Sequence, residues 1–161
     1  MKDMTANQDA LLDKLKTGSK IIAGICFITI PVFLFKAILT VLETGTLKKR
    51  YDLVYDTSFY YLMYCRKALT FVILAAIMLI AALCFRRIAK DGTPFTKQSV
   101  RALRIIAILL LVNAVIPSIT DIAGISSIVN PPFLVAGLLF LFIAQIIRYG
   151  AMLQQESDET L

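Results

Sequence analysis

The sequence predicts an all-α membrane protein with four transmembrane helices and both termini on the cytoplasmic side. Three observations lead there. Hydrophobic residues make up 58% of the 161 residues and the mean hydropathy is +0.78, against roughly 45–50% apolar content in ordinary soluble domains. The charges are segregated, leaving long uncharged runs close to the roughly 20 residues that a helix needs to cross about 30 Å of hydrocarbon. The cations also sit asymmetrically. Lys2, Lys14, Lys16 and Lys20 lie in the amino-terminal tail, Arg86, Arg87, Lys90, Lys97, Arg101 and Arg104 crowd the middle of the chain, and Arg148 lies near the end. On the other side of a four-span topology fall Lys36, Lys48, Lys49, Arg50, Arg66 and Lys67. The larger group belongs inside by the positive-inside rule.

Residues 1–20 form a polar tail whose Leu11, Leu12 and Leu15 make a weak helical stripe, fitting a short interfacial helix. A cleaved signal peptide is not expected, because the following apolar run is long and lacks a small-residue cleavage site. Residues 21–152 form a single four-helix transmembrane domain, with spans at about 21–42, 68–88, 101–120 and 132–152. Residues 153–161 form an acidic cytoplasmic tail.

In the first span, Pro31 removes one helical hydrogen bond and is expected to kink it. Lys36 is an ionisable group in an apolar run, yet it lies close enough to the outer end for its stem to snorkel. The connection at 43–67 is rich in aromatic residues, with Tyr51, Tyr55 and Phe59 at i, i+4 spacing, followed by Tyr60, Tyr61 and Tyr64. An interfacial aromatic belt accounts for it without a ligand. The second span has a small-residue seam, Ala68, Ala75, Ala82 and Ala89, repeating every seven residues. Gly137, Ala144 and Ala151 repeat the pattern in the fourth span. Such seams let backbones approach closely in lipid, so the second and fourth spans are expected to pack together.

Between the second and third spans lies a basic turn containing Arg86, Arg87, Gly92, Thr93, Pro94 and Phe95, followed by Arg101 and Arg104. Gly92 suits a left-handed helix end. Thr93-Pro94 reads as a hydroxyl cap followed by a first-turn proline. In the third span Asn113, Pro117, Thr120 and Asp121 share one helical face. Pro117 frees the carbonyl of Asn113, so this polar face belongs inside the bundle. It serves either as structural glue or as part of a solute or ion path. Pro131-Pro132 then opens the fourth span.

No cofactor or metal is expected. There is no His, and Cys26, Cys65 and Cys84 are widely spaced, resembling neither a disulfide framework nor a metal site. No paired intramembrane carboxylates or nucleophile elbow appear, so no enzyme activity is expected. The net charge of +6 is accounted for by membrane edges, and no direct nucleic-acid binding is expected.

The run Asp91-Gly92-Thr93-Pro94-Phe95-Thr96, continuing through Val100-Arg101-Ala102-Leu103-Arg104, resembles bacterial domain-of-unknown-function family 2975. The four-span pattern and the ending from Arg148-Tyr149-Gly150 to Glu159-Thr160-Leu161 are similar too, although Glu159 stands where that family usually has an aliphatic residue. The resemblance implies a small protein of the bacterial cytoplasmic membrane, often encoded beside a small helix-turn-helix regulator. It therefore implies a non-enzymatic regulatory or scaffolding partner of a small cytoplasmic protein. The alternative from the residues is a small transporter or channel subunit, which with four short spans would need a homo-oligomer.

Overall fold

The computed structural model describes residues 2–51, 57–115 and 130–159. These form four helices: α1 (Lys2–Tyr51), α2 (Thr57–Asp91), α3 (Lys97–Val115) and α4 (Pro131–Glu159). Each contains a segment long and apolar enough to cross a membrane, at Ala10–Glu43, Tyr64–Asp91, Lys97–Val115 and Pro131–Ser157. At 1.5 Å per residue, the 50 residues of α1 extend about 75 Å, so this helix projects well beyond a hydrocarbon core.

The amino-terminal stripe and the first apolar run thus belong to one helix rather than to an interfacial helix and a separate span. Nothing between them breaks the backbone: Gly18 alone costs only about 1 kcal/mol in a helix. The helix also continues through Pro31. Just ahead of it, the Thr29 hydroxyl donates to the Cys26 carbonyl at 2.8 Å. The expected connection at 43–67 is correspondingly short, since α1 reaches Tyr51 and α2 begins at Thr57. Tyr55 lies outside the described residues, and the side chains of Tyr51, Phe59, Tyr60 and Tyr61 are likewise not described.

Successive helices run antiparallel. Lys36 of α1 meets Phe71 of α2, and Lys16 lies beside Gly92. Ile77 of α2 clusters with Ile106 and Leu110 of α3, and Arg87 reaches Gln98. Gly137 of α4 faces Ala107 and Leu111 of α3, while Gly150 faces Phe95. The 91–97 turn, the amino-terminal half of α1 and the carboxyl-terminal part of α4 therefore share one end of the bundle.

The helix pairing differs from the sequence-based expectation. Among the described residues α2 packs most extensively on α1, and α4 on α3, with a thinner α2–α3 contact. Among the described residues no close backbone approach joins α2 to α4, although Phe133, Ala136 and Phe140 of α4 pack against the cluster of Ile77, Ile106 and Leu110. The alanine seam of α2 instead has a counterpart in α1, where Ser19, Cys26, Phe33 and Thr40 are seven residues apart and buried or half-buried. Ala23 and Ala37 are buried beside them. The Thr40 hydroxyl donates to the Lys36 carbonyl at 2.8 Å, so it enters the seam satisfied.

The interior holds mainly small residues: Ala75, Ala82, Ala107, Ala114 and Ala144 are buried. Large apolar side chains point outward, led by Ile28 at 71% exposure, with Phe35, Leu42 and Phe142. This inverts the pattern of a protein surrounded by water and suits one surrounded by acyl chains.

A β-carbon on Gly137 would lie 2.8 Å from Leu111 Cγ and 3.2 Å from the Ala107 carbonyl oxygen. Gly137→Val is therefore expected to destabilise the protein by about 1–3 kcal/mol through overpacking. Gly24→Ala, with open space at that position, is expected to be neutral or stabilising by up to about 1 kcal/mol. Thermal unfolding in mild detergent compares the two.

Candidate functional site

The central turn is built by a sequence of local bonds. The Gly92 N–H donates to the Ile88 carbonyl at 2.8 Å, and Gly92 adopts φ 72°. This ends α2 in a left-handed conformation that costs residues with a β-carbon about 1–2 kcal/mol. The Phe95 N–H then donates to Thr93 Oγ1 at 3.2 Å, and the Thr96 N–H to the Pro94 carbonyl at 3.0 Å.

Thr96, rather than Thr93, caps α3. Its Oγ1 accepts from the Ser99 N–H at 3.1 Å and shares a hydrogen bond with Ser99 Oγ at 2.8 Å. Its carbonyl accepts the first helical bond, from the Val100 N–H at 3.1 Å. Thr93-Pro94 thus shapes the turn and does not begin the helix. The Ser99 and Val100 N–H groups, which donate to Thr96 and not to Thr93, separate the two hydroxyl residues.

Both hairpins hold this turn. On one side Gly92 is buried, and a β-carbon there would come within 3.1 Å of Lys16 Cε and 3.9 Å of Leu12 Cδ2. On the other, the Phe95 ring lies directly on the Gly150 backbone: a β-carbon on Gly150 would meet its Cε1 at 2.7 Å. The contact explains physically why a glycine stands at that point of α4. A third tie joins the two helices that flank the turn, where Arg87 Nη1 donates to Gln98 Oε1 at 2.8 Å. The result is a fixed platform with exposed Arg86, Arg87, Lys90, Lys97 and Arg101, and a half-buried Arg104.

The polar face of α3 is only partly described. Asn113 is buried at 2% exposure, and among the described residues neither its Oδ1 nor its Nδ2 has a hydrogen-bond partner. Beside it the Ala114 carbonyl accepts from the Asn130 N–H at 2.8 Å, tying the end of α3 to the start of α4. Pro117, Thr120 and Asp121 lie outside the described residues.

Of the seam residues, Ala68, Ala75, Ala82, Gly137 and Ala144 are buried and Ala151 is half-buried. Lys36 is exposed and its ammonium stands 6.0 Å from the centroid of the Phe71 ring, a cation–π arrangement. Cys26, Cys65 and Cys84 are free thiols. Among the described residues no three His, Cys, Asp or Glu side chains gather as a metal site.

The fold defines a small all-α protein with four helices long and apolar enough to cross a membrane. Comparison with family models, curated proteins and solved structures found no match.

Two outcomes follow from these contacts. Gly150→Leu is expected to displace the Phe95 ring and speed amide hydrogen exchange across residues 91–97 at least about tenfold, given that loss of a close-packed contact is worth about 1–3 kcal/mol. Asn113→Leu removes two unpartnered polar atoms from an apolar interior. It is expected to leave stability unchanged or raise it by about 1–3 kcal/mol, read as the midpoint of thermal unfolding in detergent.

Proposed function

We propose that this chain is a non-enzymatic regulatory or scaffolding protein of the bacterial cytoplasmic membrane, whose turn-bearing face recruits a small acidic-surfaced cytoplasmic protein. The observation that carries this reading is the cation-rich turn, fixed between α1 and α4 and presenting its charges outward. A surface held in place before binding loses little conformational freedom when a partner docks. The excess of cations at this end supports a cytoplasmic turn with cytoplasmic termini. The resemblance to domain-of-unknown-function family 2975 points to a small helix-turn-helix regulator as the partner.

The test is recovery of partners from native membranes in mild detergent. Wild-type protein is expected to bring down a small cytoplasmic protein, and Arg101→Glu/Arg104→Glu is expected to lose at least about 90% of it, because reversed charges repel an acidic surface. Recovery undiminished in the reversed variant, with folding intact, overturns the assignment of the partner site to this turn.

A solute path is the second reading, favoured by the unpartnered amide of Asn113. It would require a homo-oligomer to enclose a pore. Flux through proteoliposomes that is the same with wild type and Asn113→Leu removes that amide from any such path.

A further inference from the structure

A cavity of about 630 Å³ opens between α1 and α2 at the turn-bearing end of the bundle. Its volume falls within the roughly 300–1,000 Å³ range of small-molecule sites. Lys20, Arg86 and Lys90 converge on it from the two helices. Ala23, Gly24 and Ala89 give it a shallow, small-residue floor, with Phe27 as an apolar wall. Among the described residues none of the three cations has an acidic partner within salt-bridge distance, and all three are exposed. The helices therefore bring together three positive charges that have no ion-pair partner among the described residues.

Position identifies the kind of anion. Lys20 immediately precedes the apolar run beginning at Ile21, and Arg86 immediately follows the run ending at Phe85. The cations thus mark the edge of the hydrocarbon, while Phe27 lies two turns further into it along α1. Gly24 leaves open space where a side chain would otherwise stand. A ligand here meets positive charge at one end and an apolar, lipid-accessible wall at the other.

We propose that this cavity binds the phosphodiester headgroup of an anionic phospholipid, with Lys20, Arg86 and Lys90 around the phosphate and an acyl chain passing over Gly24 along Phe27. Basic pockets between transmembrane helices recognise such headgroups by charge and by their place at the interface. A free phosphate satisfies the cations but leaves the apolar wall unused. The site does not depend on partner recruitment, which is assigned to Arg101 and Arg104.

Native mass spectrometry of the detergent-purified protein, titrated with phosphatidylglycerol, phosphatidylcholine or inorganic phosphate, tests the site. Phosphatidylglycerol is expected to bind at least about tenfold more tightly than either alternative. Lys20→Gln/Arg86→Gln/Lys90→Gln is expected to weaken it at least about tenfold. The charge-matched control Lys14→Gln/Lys97→Gln/Arg148→Gln should stay within about twofold, since none of these residues lines the cavity. Gly24→Leu keeps every charge and fills the floor, and it too should weaken the lipid several-fold. Undiminished binding in the Lys20 triple variant or in Gly24→Leu overturns the proposal. So does an equal loss in the charge-matched control, which would reduce the effect to net charge. Inorganic phosphate binding as tightly as phosphatidylglycerol would replace the lipid with a soluble anion and overturn it as well.

Discussion

In a bilayer, apolar side chains gain almost nothing by leaving lipid for one another, so the water-exclusion force that assembles soluble helices is missing. What remains is close backbone contact and the satisfaction of polar groups. The bundle is arranged around that constraint. Ser19, Cys26 and Thr40 on α1 and Ala68, Ala75, Ala82 and Ala89 on α2 keep the interior small, while Ile28, Phe35 and Phe142 are left to the acyl chains. On the other hairpin Gly137 lets Leu111 lie against the α4 backbone, closer than any side chain there would permit.

The same constraint explains the weight placed on the central turn. The α1–α2 and α3–α4 hairpins each have an extensive seam, but only a thinner contact joins α2 to α3, around Ile77, Ile106 and Leu110. The turn adds to that joint from two directions. Leu12 and Lys16 cover Gly92 from α1, and Phe95 seats on Gly150 of α4. Each contact uses a glycine, for different reasons: Gly92 because its φ is 72°, Gly150 because a ring occupies the position of its missing side chain.

Much of this was legible in the sequence, and the parts that were not share a physical cause. Four spans followed from run lengths, and the turn from Gly92 among clustered cations. The seams of α2 and α4 showed as repeats of alanine and glycine. Which helices those seams would join did not show, because a small-residue repeat states that a close neighbour exists without naming it. The partner seam in α1 has the same seven-residue period but is composed of Ser19, Cys26, Phe33 and Thr40, so composition concealed it while spacing did not. The cap of α3 lies three residues beyond the Thr93-Pro94 that suggests it, because Thr93 and Thr96 both carry a hydroxyl. The bonds from the Ser99 and Val100 N–H groups to Thr96 distinguish them. The contact between Phe95 and Gly150 spans more than fifty residues and has no local signal.

Asn113 differs from the hydroxyl residues Thr29, Thr40 and Ser99, and the difference is chemical. Thr29 and Thr40 lie within turns of their own helix and return their hydroxyl protons to backbone carbonyls at 2.8 Å. Ser99 bonds to the cap residue Thr96. A hydroxyl needs only one nearby acceptor, and a helix supplies it. The asparagine amide has two donor protons and an acceptor oxygen, directed away from the backbone, and among the described residues they find no partner. The bundle therefore has two polar regions of opposite character. At the turn the Thr93, Thr96 and Ser99 hydroxyls are matched and the surplus is charge on the surface. Near the far end of α3 the surplus is hydrogen-bonding capacity in the interior. Charge on a surface is readily solvated, whereas an unmatched amide in an apolar interior carries its full desolvation cost, so the two ends differ in energy as well as in chemistry.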